Sequence, residues 1–228
     1  MHLKRLVAPK NWPIKRKEMK FIARPLLGPH KLNKCLTLNI ILKDILHYAK
    51  TTKEVKEILN KGGILIDKII RKDYRFPVGI MDVIDIPQLN ESYRLLYNKK
   101  GDFILHSIKK EESGIKPCKI IRKNAIKGNK IQITLYDGKN KIIKNNYAVG
   151  DSVLFDLVKK DIKEHLELKK GNTIYLTGGK HVGEVGVIED IVNSKGKKII
   201  FKVGDNKYET QKDFVFVIGK DKPIISIK

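Results

Sequence analysis

Between Met1 and Lys34 the chain carries ten lysines or arginines, one acid (Glu18), four prolines (Pro9, Pro13, Pro25, Pro29) and its single tryptophan, Trp12. The prolines fix φ and remove backbone donors, which excludes a helix or an interior strand. Ordering such a stretch costs roughly 1–2 kcal/mol per residue in backbone entropy. Its few large apolar side chains offset only part of that, at roughly 1.5–3 kcal/mol each when fully buried. The expectation is an extended basic arm that does not fold alone and gains its order on an anionic partner.

The rest of the chain keeps the same bias. Over 228 residues, 48 basic side chains face 25 acidic ones, for a net charge of +23. The excess is uneven: +9 in residues 1–34, +2 in 35–90, +9 in 91–170 and +3 in 171–228. Blocks of this kind mark nucleic-acid or anionic-membrane partners. No apolar run approaches the roughly 18 residues of a spanning helix, and no signal-peptide core follows the basic start. Cys35 and Cys118 stand far apart, without zinc or disulfide spacing, and read as free thiols. The six histidines are scattered, with no H-E-x-x-H.

Behind the arm, Leu38, Ile41, Leu42, Ile45, Leu46 and Ala49 recur at helical spacing. Thr51-Thr52-Lys53-Glu54 is a capping box, with Thr51 accepting from the first turn while Glu54 reaches back. A short second helix follows, with Val55, Ile58 and Leu59 on one face, and Gly62-Gly63 stops it. A short strand and turn over Ile64–Lys68 and the strand Ile80–Ile86 flank the basic turn Arg71–Arg75. Residues 91–170 read as β-rich: hairpin Tyr93–Tyr97/Asp102–Ile108, then Ile131, Ile133 and Leu135 alternating with polar residues, with the Asp137-Gly138 turn and a return strand through Ile142-Ile143. Gly150–Phe155 begins another strand, and Lys159–Lys170 reads as a polar, partly helical connection. Beyond it, Ile174 and Leu176 alternate toward a core. Gly178, Gly179 and Gly183 permit sharp turns and close backbone approach, Gly186 marks a bulge or bend inside a strand, and Lys198–Val203 and Phe214–Ile218 supply closing strands.

The helix, helix, turn, strand, turn, strand order resembles the RNA-binding module first defined in a bacterial ribosomal protein and shared with some pseudouridine synthases and tyrosyl-tRNA synthetases. Lys170–Ile188 resembles the KOW motif of ribosomal proteins and elongation factors. With "HLKRLVAPKNW", "RPLLGPHKLNKCLTL", "FPVGIMDVIDI", "YRLLY", "TGGKHVGEVGVI" and "FVIGKDKPIISI", the whole chain resembles the e-type small-subunit ribosomal protein four family of archaea and eukaryotes. The resemblance implies an α+β, multi-domain fold: an arm (1–34), a helical/β RNA-binding module (35–90), a β-rich central domain (91–170) and a KOW, SH3-like β-barrel with its tail (171–228).

It also implies a cytoplasmic structural constituent of the small ribosomal subunit that is not an enzyme. Its partners are rRNA and neighbouring ribosomal proteins. It has no cofactor, metal, membrane or small-molecule substrate, and is not a homo-oligomer. A KOW-containing transcription or translation factor would need a polymerase-binding domain, and an RNA-modifying enzyme a large catalytic domain; neither is apparent. His181 has no placed nucleophile or carboxylate pair to make it a catalyst.

The candidate RNA contacts follow the charge. In the arm they are Lys4, Arg5, Lys10, Lys15, Arg16, Arg24, His30, Lys31 and Lys34, the arginines ranking first because a guanidinium grips two phosphate oxygens. Trp12 is either a stacking platform for an unpaired base or the arm's anchor on the protein. The helical module offers Lys53, Arg71, Lys72 and Arg75, with Lys53 standing where the family's module carries Ser-Arg. Lys119, Arg122, Lys123, Lys127 and Lys130 are central candidates, unless they only protect strand edges. Lys180 and His181 project from the glycine-rich loop.

Overall fold

The computed structural model describes residues 2–128, 130–143, 147–192, 198–204 and 206–227. They form two compact units, Met1–Leu96 with Asp102–Gly114, and Tyr97–Gly101 with Ile115–Lys228.

In the first unit the arm is not a loose tail, which corrects the expectation from its composition. Strands Leu3–Lys4 and Phe21–Ile22 pair antiparallel, and Leu3, Arg5, Ala8 and Trp12 are buried. The missing stabilisation comes from the chain itself: Phe103 N donates to the Asn11 carbonyl at 3.0 Å, and the Arg5 guanidinium reaches Asp44 at 3.1 Å.

The first expected helix is also shorter than its apolar stripe. Thr37 caps it, accepting from Ile40 N at 3.4 Å. After Leu38–Ile40 the backbone widens into a π-turn over Ile41–Ile45, with Leu46 N bonded to the Ile41 carbonyl. It ends at His47, whose φ of 56° no helix continues through. The second helix, Thr52–Asn60, forms as expected. Thr51 Oγ1 accepts from Glu54 N at 3.3 Å, and the Glu54 carboxylate reaches back to Lys50 N at 2.7 Å. These bonds hold the Glu54 carboxyl below the usual range, the Lys50 amide contributing most. Val55 and Leu59 face the core.

A five-stranded sheet completes this unit, in the order Ile69–Ile70, Leu65–Ile66, Val83–Ile86, Glu91–Tyr97, Phe103–Ser107. The turn between the first two has Asp67 and Lys68 both at positive φ (51° and 62°), as a type I′ hairpin requires. The expected strand Ile80–Ile86 is interrupted by Met81 at φ 67°. The strand is therefore confined to Val83–Ile86, and the preceding residues Pro77–Gly79 form a separate strand paired with Cys35–Thr37. Arg94 is fully buried against Glu112, and burial lowers the pKa of its guanidinium.

The second unit holds two five-stranded sheets. One is ordered Asn140–Ile143, Lys130–Leu135, Ile115–Ile126, Ser152–Asp156, Asp161–Leu166; the other Asn206–Gln211, Lys198–Val203, Val185–Val192, Thr173–Leu176, Val215–Gly219. Residues 161–166, expected as part of a partly helical connection, are therefore a strand. Ser152–Asp156 offers a ladder, and Lys160 at φ 56° closes the hairpin. Strand Asn206–Gln211 has no counterpart in the sequence reading, because five of its six residues are polar and only Tyr208 offers an apolar face, so no alternating apolar signal exists.

The two sheets share one core. Leu154 and Leu166 of the first pack with Ile174, Leu176, Ile188, Ile199, Phe201, Val215 and Val217 of the second. Gly186 makes room for Phe201: a Cβ there would lie 2.9 Å from the ring. It sits in regular register, and the bulge in its strand falls between Ile188 and Asp190 instead. Lys119 also joins the sheets. Its buried ammonium donates to the carbonyls of Lys212 (2.9 Å), Asp213 (2.9 Å) and Val215 (2.8 Å).

Lys119→Met keeps the volume but leaves three carbonyls without their donor. We expect a loss of about 3 kcal/mol, read as a lower urea midpoint with unchanged m-value.

Candidate nucleic-acid interface

The structure separates the arm's candidates into two groups. Lys4, Lys10, Lys15, Arg24, Lys31 and Lys34 are exposed. Arg5 and His30 are not. Arg5 is 3 % exposed, and its guanidinium is taken up by the Lys15 carbonyl and by Asp44. His30 Nε2 lies 3.0 Å from buried Asp82, which also accepts from Gly79 N at 2.7 Å. The imidazole lies flat on Gly79, where a Cβ would come within 2.4 Å of the ring. Both residues are clasps for the arm, a correction forced by the cost of burying a charge or donor without a partner. Trp12 is 2 % exposed, which accords with the anchor of the two alternatives. Arg16 is half-buried and donates to the Ala8 and Pro9 carbonyls at 2.9 and 2.8 Å, shaping the arm's bend.

Two concave surfaces result. A groove of about 920 Å³ is lined by the arm (Lys10, Trp12, Lys15, Arg16) and by the first helix and its end (Lys43, Asp44, His47, Lys50). A second, of about 570 Å³, lies between the arm residues Ile22–Leu27 and the turn at Tyr74-Arg75. Leu26 N bonds to the Arg75 carbonyl at 3.0 Å, which fixes Arg24 beside Arg75. Arg75 stands over the Tyr74 ring at 5.5 Å and Lys56 over the same ring at 4.9 Å. Arg71 covers Phe76 at 4.3 Å, so Tyr74 and Phe76 serve as platforms for side-chain cations. Lys53 and Lys72 are exposed nearby in sequence. Sequence reasoning missed Lys56. The available signal was its spacing: residues three apart share a helix face, and Lys53 was already a candidate. Lys43 and Lys50 carried no comparable signal.

In the second unit Arg122, Lys127 and Lys130 are exposed and Lys123 is half-exposed on one hairpin. Lys119 drops out, its ammonium being consumed internally. Lys116 is likewise buried, 3.2 Å from Asp137. Lys180 is exposed, but His181 does not project as expected. Its Nδ1 lies 3.0 Å from Glu184, and its ring packs against Tyr208 in a tilted pair with centroids 3.9 Å apart. The close approach that Gly183 permits is also internal: a Cβ there would lie 2.4 Å from the Asn98 carbonyl oxygen. Among the described residues, no helix is long and apolar enough to cross a membrane.

These features define a sheet-rich protein with a small helical module and a cationic surface laid out for a polyanion. Comparison with known proteins gives the family. The RS4NT (NUC023) domain model matches residues 1–33, the S4 domain model 37–84, and the Ribosomal family S4e model 89–162. Small ribosomal subunit protein eS4 of Methanococcus vannielii is 43% identical, covering 99% of this chain and 97% of its own length. The eS4 protein of Methanothermobacter thermautotrophicus is 41% identical, covering 99% and 95%. The crystal structure of the 30S ribosomal protein S4e from Thermoplasma acidophilum superposes with a TM-score of 0.74 at 33% identity, over 86% of this chain and 99% of that one. The chain belongs to the S4e family of ribosomal proteins.

Two substitutions separate the clasps from the interface. Arg5→Ala strands Asp44 and should cost about 3 kcal/mol of stability, seen as a lower midpoint in urea. Arg24→Ala should leave the midpoint within about 0.5 kcal/mol and instead lower the salt slope of RNA binding by about 1. Cys35 gives a third readout. Burial, and secondarily the Asp82 charge, push its thiol up to about 12 from 9.0. The native thiol should therefore resist Ellman's reagent at pH 8 and react only on unfolding. Because the unfolded thiol ionises first, stability is full below pH 9 and falls between pH 9 and 12. Cys35→Ala removes that part of the decline.

Proposed function

We propose that this protein is a structural constituent of the small ribosomal subunit that binds folded rRNA and has no catalytic role. The observation that carries this reading is the Arg24–Tyr74–Arg75–Lys56 surface, where arm and S4 domain jointly present cations on an aromatic ring. Guanidinium groups held this way suit phosphate and base stacking together. Near-full-length identity to ribosomal relatives supports the same reading. The protein acts in the cytoplasmic ribosome, with rRNA and neighbouring small-subunit proteins as partners, and not as a homo-oligomer.

The exposed members of the candidate set, together with Lys56, form the phosphate contacts; Arg5, His30, Trp12 and Lys119 support them from inside. The four-part division at 34, 90 and 170 and the closure of residues 171–228 into a KOW, SH3-like barrel belong to the same proposal. The second sheet, with its glycine loop packed on Asn98, supports that closure.

Binding to small-subunit rRNA is the test. With about ten phosphates neutralised, log K should fall against log salt with a slope between about −7 and −9, and the protein should remain stoichiometric with small subunits after a high-salt wash. A slope near −2, or recovery only in the soluble pool, overturns the proposal.

A further inference from the structure

The long strand Ile115–Ile126 serves two partners in succession. Residues 115–119 pair with Ser152–Asp156, and residues 120–126 pair with Lys130–Leu135. Among the described residues, no strand pairs with the other side of residues 121–126, so these residues with 130–135 and Asn140–Ile143 extend as a three-stranded flap.

Register divides this flap into two faces, because directly opposed residues point to the same side. Ile133 and Leu135 are buried, so their partners Lys123 and Ile120 share the inner face, as do Ala125 with Ile131 and Ile133 with Lys141. Lys141 of that face lies over the Phe155 ring at 5.5 Å and donates to the Lys160 carbonyl. The outer face is different. It carries one row of Arg122, Thr134 and Asn140, and a second of Asn124, Gln132 and Ile142, with Ile126 opposite Lys130 at the tip end.

No carboxylate occurs on the outer face. Asp137, the one acid between Ile115 and Ile143, is buried against Lys116. Edge protection accounts for cations on unpaired strand edges. It does not account for Gln132 and Thr134, which sit on the middle strand of the three with polar groups turned outward. Opposed side chains lie about 4.5–5.5 Å apart across the strands, and alternate residues about 6.6–6.8 Å apart along them. The face is thus a flat grid of amides and a hydroxyl, within which Thr134 Oγ1 donates to Asn140 Oδ1 at 2.7 Å while keeping acceptor lone pairs and the Asn140 amide donors outward, bordered by two cations and two exposed isoleucines.

We propose that this outer face binds duplex RNA across its minor groove. Asn124, Gln132, Thr134 and Asn140 hydrogen-bond to ribose 2′-hydroxyls, while Arg122 and Lys130 hold the flanking phosphates. The A-form minor groove is wide, shallow and lined with 2′-hydroxyls, so it admits a flat sheet; the deep, narrow major groove does not. Neutral groups that both donate and accept match a hydroxyl, which also does both. Two exposed cations without a counter-carboxylate favour a polyanion over a neutral protein partner. Lys123 belongs to the inner face and takes no part. The inference rests on the RNA-binding reading above and adds the class of RNA structure and the atoms recognised.

The test uses the full-length chain with a 20-base-pair RNA duplex and the DNA duplex of the same sequence. The native protein should prefer the RNA duplex by about tenfold. Asn124→Ala with Gln132→Ala should reduce that preference to about twofold, the loss expected for one or two neutral hydrogen bonds, with an unchanged salt slope. Arg122→Ala with Lys130→Ala should instead lower the slope by about 2 while keeping the preference. Lys123→Ala should change neither. Equal binding of RNA and DNA by the native chain overturns the inference, as does an unaltered preference in the Asn124/Gln132 variant. Either failure with normal association with small subunits leaves the ribosomal proposal standing; loss of that association with the native chain would sink both. Unchanged urea midpoints in all variants tie each effect to the surface.

Discussion

A chain with a net charge of +23 folds only if every cation it draws inside is met by acceptors. The structure depends on that constraint. Lys119 ends on the carbonyls of Lys212, Asp213 and Val215, at the start of the last strand of the opposite sheet, Lys116 on Asp137, Arg94 on Glu112 and Arg5 on Asp44. Each buried cation joins segments far apart in sequence, so the charge that marks the surface as RNA-binding also specifies the interior. Apolar packing alone, over a core shared by two sheets, does not dictate which carbonyls those sheets must bring together.

The arm shows the same economy. Its charge and prolines suggest a tail with no structure of its own, yet Arg5 and His30 fasten it at two points to the helical module, and Trp12 is buried. What stays outside is the set of exposed lysines and Arg24, presented from a fixed backbone. A preordered cation loses less conformational entropy on binding than one on a free chain. In the proposed reading, this chain therefore holds the cations of its first 33 residues, the stretch matched by the RS4NT domain model, in place before RNA arrives.

Much of this was legible in the sequence, and the failures are instructive. The capping box at Thr51 and Glu54, the Asp137-Gly138 turn and the alternation of Ile133 and Leu135 are local signals, and each has the expected structure. Strand 161–166 escaped because its residues are charged and its ladder partner lies on the preceding strand. The first helix was overestimated because an apolar stripe at helical spacing does not reveal a π-turn or a left-handed His47. The site was harder. Nothing local distinguishes Lys119, which is buried, from Lys127, which is solvated. That difference is made by residues some ninety positions away.

The divided pairing of strand Ile115–Ile126 also bears on how the chain reaches its fold. Its distal half meets Lys130–Leu135 across a short turn, with Ile126 opposite Lys130, whereas Lys119 must find Ser152 across more than thirty residues. Loop-closure entropy favours the local half. The flap can therefore zip as an independent hairpin and template the rest of its strand, while the sheet that Lys119 reaches toward locks in only after the C-terminal strands arrive. A nascent chain leaving the ribosome would present that hairpin well before Val215–Gly219 exists to complete the core.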